Sequence, residues 1–330
     1  MNHSTVKSFT FGIGLFFTLP LVYGNSSSPS SSDGTLYINK SKTHKVAPVK
    51  YGFHYEEIGM MGEGALHAEL IRNRSFEEAT PPAGLSVKNG LYENVPAPRV
   101  KEKKVFQADP LIGWTTYPLS YTPVFISRTD ENPMSGENKY SMLVNVTEDI
   151  ANHSDALILN RGYYGMNLKT DTSYRLSLFL KNRNYSAPLR VFLVDEWGQR
   201  VSNVIEVNVG NRDWTKYTGE LKPEKNVRRG MFAIQPMSKG QFQIDVVSLF
   251  PSDTWNDGKS VFRKDIVQNL KEFSPSFIRF PGGCIVHGVN EETMYHWKKT
   301  LGPIENRPGQ WSKWAPYYRT DGIGYHEFYE

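Results

Sequence analysis

The chain has 330 residues, 39% of them hydrophobic and 13% aromatic, which is enough apolar material for one large core or two smaller ones. Its formal net charge is only +4 and its basic residues are scattered, so a nucleic-acid-binding surface is excluded as an interpretation. The single cysteine, Cys284, rules out intramolecular disulfides and cysteine-based metal sites, and no cofactor or metal motif is present.

Residues 1–24 are typical of a secretory signal peptide. Lys7 supplies a positive charge ahead of the apolar run Phe9–Val22, and Val22-Tyr23-Gly24 offers a cleavage site. The apolar run is short and is interrupted by glycine and proline, which argues against a membrane span. We therefore predict a secreted protein, extracellular or periplasmic, with no membrane contact after signal cleavage; an uncleaved anchor is the alternative. We expect the Ser-rich linker 25–34 to be disordered.

If the protein is secreted from a eukaryotic host, some of its Asn-X-Ser/Thr sequons would carry glycans. They lie at Asn25, Asn39, Asn73, Asn145, Asn152 and Asn184.

Residues 35–80 contain two predicted strands, Thr35–Asn39 and Val49–Ile58, and one predicted helix. The strand Val49–Ile58 ends in the paired carboxylates Glu56 and Glu57. Successive side chains of a strand point to opposite sides, so one of the two can face a cavity while the other does not. Glu56 could equally be a solvated strand end. The spacing of apolar residues over Ala65–Arg72 predicts the helix.

In residues 81–253 the sequence pattern differs from that of the preceding residues. Short segments of alternating apolar and polar residues are separated by proline and glycine. This pattern predicts a β-sandwich of the jelly-roll type. The predicted strands are Phe125–Arg128, Tyr140–Val146, Ala156–Asn160, Tyr174–Leu180, Leu189–Val194, Val204–Val207, Thr215–Gly219, Met231–Gln235 and Phe242–Leu249. Trp114, Trp197 and Trp214 are candidate stacking platforms for sugars, although core packing is the more frequent role of a tryptophan in such a fold.

Residues 254–330 return to helix and strand. Arg263–Phe273 has helical periodicity, and Phe277–Phe280 reads as a short buried strand that enters the turn Pro281-Gly282-Gly283. A helix that leads into a buried strand is typical of a parallel sheet, and long aromatic loops after such strands are where α/β folds hold their sites. If Arg279 is buried, its guanidinium needs carboxylates or other hydrogen-bond acceptors around it. It could form a structural ion pair, or it could position an acidic residue or a substrate hydroxyl at a site. Another helix is predicted to begin near Gly324.

Three stretches together resemble the α-L-arabinofuranosidases of glycoside hydrolase family 51. They are Gly52–Gly59 with Gly64–Glu77, then Phe277–Gly283, then Trp297–Glu327. They follow the order found in that family and cover roughly a third of the chain, which makes the set far more specific than a single motif. Between them, Gly162-Tyr163-Tyr164-Gly165 is similar to the jelly-roll module that some members carry.

The resemblance implies an α/β plus all-β fold, in which an incomplete (β/α)8 TIM barrel, with its first strands only, carries an inserted carbohydrate-binding-like jelly roll. On this reading residues 35–80 and 254–330 are barrel segments and 81–253 are the sandwich. The implied reaction is retaining hydrolysis of terminal non-reducing α-L-arabinofuranosyl residues in arabinan or arabinoxylan, without a cofactor. Its partner is an arabinose-containing polysaccharide or oligosaccharide, and the oligomeric state is left open.

The resemblance also implies a substrate pocket. Glu56 and Arg279 match pocket positions of the family, and Trp314 lies near a pocket aromatic. Cys284 occupies a position where some members hold a polar pocket residue. His287 stands where close relatives are expected to have a glutamate.

The catalytic residues are expected to lie elsewhere. Retaining glycosidases use two carboxyl groups about 5–5.5 Å apart, one as acid/base and one as nucleophile. In the family the acid/base follows an asparagine at the end of a later strand, and the one Asn-Glu pair here, Asn290-Glu291, lies in a loop. We therefore expect an amino-terminal part of the enzyme that is inactive alone. The alternative is a secreted, non-catalytic hemicellulose-binding module.

Overall fold

The computed structural model describes residues 51–80, 109–150, 155–288, 291–312 and 317–329, the strands at 87–88, 91–95 and 104–107, and residues 38, 39, 41, 43 and 45. The fold below belongs to the unit Pro48–Glu330. The predicted signal peptide 1–24, the linker 25–34 and Trp314 lie outside the described residues.

The described residues form mainly β-strands, with a few short helices. The strands are β1 Phe53–His54, β2 Val87–Lys88, β3 Leu91–Val95, β4 Lys104–Gln107, β5 Trp114–Tyr117, β6 Val124–Thr129, β7 Ser141–Val146, β8 Leu157–Asn160, β9 Met166–Leu168, β10 Tyr174–Asn182, β11 Pro188–Val194, β12 Ile205–Asn208, β13 Thr215–Leu221, β14 Val227–Gln235, β15 Gly240–Pro251, β16 Ile278–Arg279, β17 Gln310–Ser312 and β18 Tyr317–Arg319. The helices are α1 Lys264–Glu272, α2 Cys284–His287 and α3 Tyr325–Tyr329, beside a π-helical turn Gly62–Leu66 and 3₁₀ turns at Glu291–Thr293, Trp297–Thr300 and Ile304–Asn306. No helix among the described residues is long and apolar enough to span a membrane.

Two antiparallel sheets face each other across one large apolar core. The first has the order β13-β10-β15-β7-β6, and the second β12-β11-β14-β8-β5 with β9 added to β14. Along β10 the buried side chains alternate with more exposed ones, as expected for a strand with one face on a core. All nine strands predicted for residues 81–253 are confirmed, while β2, β3, β4, β5 and β9 were not predicted. A separate small sheet has the order β2-β3-β4.

The helix predicted over Ala65–Arg72 is wrong. The chain makes only the π-helical turn Gly62–Leu66 and then continues in extended form. There the Ala68 N–H donates to Val261 O at 2.8 Å and the Leu70 N–H to Leu249 O at 3.0 Å. Backbone partners on neighbouring segments therefore replace the helical hydrogen bonds, and tertiary context overrides a weak local preference.

The segment that follows packs into the sandwich. Ile71 and Phe76 are buried in the core between the two large sheets, and the Phe76 ring lies 5.5 Å from that of Trp114. Trp114 is itself buried and donates its indole N–H to Asn73 O at 3.1 Å. Trp114 is thus a core residue, whereas Trp197 is exposed and Trp214 half-buried.

The remaining elements form a smaller layer beside the sandwich. The helix predicted over Arg263–Phe273 is confirmed as α1, and the one predicted near Gly324 as α3. A second apolar cluster forms around Leu66, Phe262 and Ile323, and α1 contributes to it the partly buried Ile266 and Val267.

Candidate functional site: the carboxyl end of a parallel strand pair

Strands β1 and β16 lie side by side and parallel, although more than 200 residues separate them in the sequence. Phe53 is opposite Ile278, and His54 is opposite Arg279. The Tyr55 N–H continues the pairing beyond β1 by donating to Arg279 O at 2.9 Å. The prediction that these two stretches are neighbouring parallel strands is therefore confirmed.

The prediction that the second strand is buried is wrong. Phe277, Ile278 and Arg279 are all exposed. Within the described residues β1 and β16 pair only with each other, and no residue of α1 is fully buried, so little covers this short sheet. The Arg279 guanidinium consequently lies in water and forms no ion pair with a described carboxylate.

The register puts His54 and Arg279 on one face of the strand pair, and Glu56, two residues beyond His54, follows on that face. His54 Nε2 and Glu56 Oε2 are 3.9 Å apart. The Glu56 side chain is 16% exposed, whereas His54 and Arg279 are open to solvent. We call His54, Glu56 and Arg279 the polar edge.

Glu56 is fixed by the turn that follows β16. Its Oε1 accepts a hydrogen bond of 3.0 Å from the backbone N–H of Ile285. A Cβ atom on Gly282 would lie 2.5 Å from Glu56 Cγ, and Gly282 has φ +145°. Glycine is therefore required at this position both by its backbone conformation and by the close approach of Glu56. Oε2 lies beside Gly283, where a Cβ atom would come within 3.2 Å of it, and 3.9 Å from His54 Nε2.

Cys284 begins α2 directly after this turn and is half-buried with a free thiol. His287, at the end of the same short helix, is exposed and directs Nδ1 to Gly288 O at 2.6 Å. Of the four substrate-binding residues expected from the sequence, Arg279 lies on β16 and Glu56 lies two residues beyond the paired strand β1. Cys284 follows the turn after β16, and Trp314 is outside the described residues.

The opposite face of the strand pair is aromatic. The Tyr55 ring lies 5.8 Å from Phe280 and 4.7 Å from Phe328, and Phe280 stacks on Phe328 at 3.9 Å. These rings separate the polar edge from a layer of buried charged groups.

Glu57 is the first of these groups, and the sequence alone assigns it no role. It is buried and accepts hydrogen bonds from the hydroxyls of Tyr55 at 2.5 Å and Tyr317 at 2.6 Å. Burial raises the pKa of the Glu57 carboxyl, and the hydrogen bonds from Tyr317 and Tyr55 offset part of that rise. The signal that could have found it is the position of Tyr55, two residues earlier on the same face.

Glu63 is the second buried carboxylate. It accepts hydrogen bonds from the Thr320 hydroxyl, from the Gly322 N–H at 3.0 Å and from the Tyr163 hydroxyl at 3.3 Å. Burial alone would raise the pKa of Glu63, but the neighbouring His67 and Arg74 outweigh that effect and lower it below its ordinary value. His67 Nδ1 lies 3.8 Å from Glu63 Oε2, which is beyond ordinary hydrogen-bond distance.

Arg319 and Asp321 form an ion pair that is also buried and belongs to the same layer as Glu57 and Glu63. A small cavity of about 10 Å³ remains between Glu57, Glu63 and Arg319, which is the space of one water molecule. Both glutamates are thus buried and occupied by hydrogen bonds, and they hold β18 and the 320–322 segment against the end of β1. Glu56 remains the carboxylate of this region that can meet a ligand.

The exposed polar groups of the polar edge are chemically suited to hydrogen bonds with hydroxyl groups. Glu56 offers a carboxylate oxygen as an acceptor, and Arg279 offers several N–H donors in a planar fork. No three His, Cys, Asp or Glu side chains in the described part of the chain are placed to hold a metal ion. This combination of acceptor and donor at the carboxyl end of parallel strands is typical of sugar-binding sites in α/β folds.

Comparison with known proteins agrees with this geometry. A family model described as "Alpha-L-arabinofuranosidase 1 domain" matches residues 269–330. Alpha-L-arabinofuranosidase 1 of Arabidopsis thaliana is 28% identical over 285 residues, which are 85% of this chain and 38% of that protein. The extracellular exo-alpha-L-arabinofuranosidase of Streptomyces chartreusis is 27% identical over 292 residues, 84% of this chain and 30% of that protein.

A solved structure gives the same result. The arabinose-bound MgGH51 α-L-arabinofuranosidase superposes with a TM-score of 0.70 at 26% identity, over 88% of this chain and 43% of the other. The similarity in sequence and fold thus makes this chain a relative of the glycoside hydrolases. Within that class, the chain is a homologue of the family 51 α-L-arabinofuranosidases, which confirms the resemblance seen in the sequence. It spans 30–38% of the length of the two relatives named above.

Proposed function

We propose that this chain forms the arabinose-binding, amino-terminal part of a secreted α-L-arabinofuranosidase. The reaction of the whole enzyme would be retaining hydrolysis of terminal non-reducing α-L-arabinofuranosyl residues in arabinan or arabinoxylan. The observation that carries this proposal is the pairing of β1 with β16, which puts Glu56 and Arg279 on one face. The similar solved structure is that of an arabinose-bound enzyme, which supports the ligand class.

In this proposal β1 and β16 are the first two strands of a (β/α)8 barrel and the two large sheets are a jelly-roll module. The parallel pairing supports the barrel, since barrel enzymes hold their sites at the carboxyl ends of parallel strands. The extracellular relative from Streptomyces chartreusis supports secretion.

The proposed roles follow from the exposed atoms. Glu56 Oε2 accepts a hydrogen bond from a sugar hydroxyl, while Oε1 stays bound to the Ile285 N–H. Arg279 donates to a second hydroxyl or to the ring oxygen. Cys284 and Trp314 complete the pocket. In this proposal the acid/base and the nucleophile belong to the remaining part of the enzyme, since the chain spans 38% of the Arabidopsis relative. Glu57 and Glu63 do not take these roles, because they are buried among hydrogen-bond donors and cannot reach a sugar.

Two measurements on the purified 330-residue chain test this function. We expect no release of nitrophenol from p-nitrophenyl α-L-arabinofuranoside, and binding of methyl α-L-arabinofuranoside detectable by saturation-transfer NMR. Glu56→Gln should weaken that binding about fivefold or more, because the amide is a poorer acceptor than the carboxylate. Glu206→Gln, an exposed carboxylate on β12, is the matched control.

Each result has an opposite that would overturn part of the proposal. Release of nitrophenol would mean that catalytic carboxylates are present in this chain. Absence of arabinoside binding by the folded chain, or equal binding by the Glu56→Gln and Glu206→Gln variants, would remove the polar edge as a sugar site.

A second candidate function is a secreted, non-catalytic hemicellulose-binding module. The observation in its favour is Trp197, which is 68% exposed in the loop after β11 of the sandwich. Affinity electrophoresis of the full chain in arabinoxylan gels separates the two functions. Retardation that disappears in Trp197→Ala, without arabinoside binding at the polar edge, would favour the module.

A further inference from the structure

A cavity of about 380 Å³ lies away from the polar edge and shares no residue with it. Its walls come from the extended segment after the π-helical turn, from the segment 163–174 of the sandwich, and from the chain between β15 and α1. Three tyrosines line it, Tyr163, Tyr164 and Tyr174, together with the polar residues Asn167, Lys169 and Asp253. Its volume is sufficient for a ligand of a few sugar units.

Tyr164 is the unusual member of this lining because it is 85% exposed. The next two residues in the cavity wall are Gly165, which has no side chain, and the buried Met166, so neither covers the Tyr164 ring. A free aromatic ring on a cavity wall is the structural feature on which the apolar face of a sugar ring stacks.

The turn that carries Tyr164 is held rigidly. The Gly162 N–H donates to the side chain of the buried Asn160 at 2.8 Å, and the Gly165 N–H donates to Arg161 O at 3.0 Å. Both glycines have positive φ, +61° for Gly162 and +90° for Gly165, and a Cβ on Gly165 would lie 3.1 Å from Arg229 Cα. The backbone that carries Tyr164 is thus held in one conformation, which lowers the backbone entropy lost on binding.

The polar groups around the cavity are available and of mixed charge. The side chains of Asn167, Lys169 and Asp253 make no hydrogen bond or ion pair with another described residue. Arg263 and Asp265 neutralise each other across 3.0 Å. A net anionic or cationic ligand would meet charges of its own sign here, whereas the hydroxyl groups of a neutral ligand can use both donors and acceptors.

We propose that this cavity is a second saccharide-binding site, which holds a neutral oligosaccharide segment of a polysaccharide. A sugar ring stacks on Tyr164, and its hydroxyls bind Asn167, Lys169 and Asp253. The proposal takes the saccharide class from the proposed function but not its site. It would allow the protein to hold a polysaccharide chain at a place other than the one that binds the terminal arabinosyl group.

Affinity electrophoresis of the full 330-residue chain in gels with and without arabinoxylan, and separately with linear arabinan, tests this site. The Tyr164→Ala variant is compared with Tyr329→Ala, which removes a tyrosine that is 86% exposed on α3 and outside the cavity. We expect Tyr164→Ala to weaken retardation about tenfold in apparent dissociation constant, and Tyr329→Ala to leave it unchanged. Asn167→Ala, also exposed, should weaken it to a smaller extent.

The proposal is overturned if the unsubstituted folded chain is not retarded by either polysaccharide. It is equally overturned if Tyr164→Ala is retarded as strongly as Tyr329→Ala. The binding of methyl α-L-arabinofuranoside tests the polar edge separately, with Glu56→Gln. Failure of the cavity and failure of the proposed function therefore give different results.

Discussion

The hydroxyl of Tyr317 donates a hydrogen bond of 2.6 Å to the carboxylate of Glu57, and so joins the start of β18 to the end of β1. Tyr55 donates to the same carboxylate from the other side. Glu63 extends the connection, since it binds the 320–322 segment and the Tyr163 hydroxyl of the sandwich. Buried carboxylates thus connect the parts of the chain that surround the polar edge.

We predict that Tyr317→Phe lowers the free energy of unfolding by about 1–2 kcal/mol, because a buried carboxylate loses one of its two tyrosine donors. Urea-induced unfolding measures the change. Tyr329→Phe is the control, because its hydroxyl lies on an exposed residue, and it should change stability by less than about 0.5 kcal/mol. Equal stability of the two variants would mean that the bond between Tyr317 and Glu57 contributes nothing.

The stability of the fold should depend on the protonation of Glu78. Burial raises the pKa of this carboxyl from 4.5 to about 7, against the opposing charge of Arg72. Between these two pH values the folded state keeps a proton that the unfolded state has released, so stability falls as pH rises from about 4.5 to about 7. Below and above this range the contribution is constant.

We therefore predict that the stability difference between the unsubstituted protein and Glu78→Gln changes by roughly 2–3 kcal/mol between about pH 4 and about pH 8, in the direction that favours the variant at high pH. Urea unfolding at several pH values measures it. For Glu206→Gln, on the surface, the same difference should stay nearly flat. A flat difference for Glu78→Gln as well would contradict the raised pKa.

The Gly282 position should not accept a side chain. Gly282→Ala would bring a Cβ to 2.5 Å from Glu56 Cγ at a backbone φ of +145°. We predict a loss of about 1–3 kcal/mol in stability and weaker arabinoside binding, because Glu56 has to move. Gly136→Ala is the control, since no atom lies within 4 Å of its Cβ position, and it should be nearly neutral. Unaltered binding by Gly282→Ala would contradict the role given to Glu56.

The sequons should differ in their glycosylation. Asn73 is buried and its side-chain amide donates to Pro110 O at 3.1 Å, whereas Asn184 is exposed. We predict that folded protein secreted from a eukaryotic host carries glycan at Asn184 and none at Asn73, because a glycan on Asn73 could not be accommodated in the fold. Peptide mapping by mass spectrometry reads both sites. Occupancy at Asn73 in folded protein would contradict the burial of that side chain.

The sandwich was predictable because its strands carry their signal locally. Tyr174, Leu176, Leu178 and Leu180 alternate with more exposed residues, and this period specifies both the strand and its buried face. β9 was missed because three residues, Met166–Leu168, are too few to show an alternation. The parallel pair was predictable from the resemblance of both strands to one family, and not from their own composition.

The failures have a common physical cause, which is contact with distant segments. The apolar spacing of Leu66 and Leu70 indicated a helix, but Leu70 pairs with Leu249 of the sandwich. The sequence could not decide which of Glu56 and Glu57 is open to a ligand. Glu57 is enclosed by a hydrogen bond from Tyr317, which lies 260 residues later. The exposure of Ile278 likewise depends on what covers a strand and not on its own residues.

The central claim is that Glu56 and Arg279 together bind an arabinofuranosyl group. The most direct test follows the Nε–H signal of Arg279 by NMR, assigned through Arg279→Lys, while methyl α-L-arabinofuranoside is added to the full chain. We predict a saturable shift of this signal, with an apparent dissociation constant about fivefold or more higher in Glu56→Gln. A signal that stays fixed in the folded protein, or that shifts identically in Glu56→Gln, would contradict the claim.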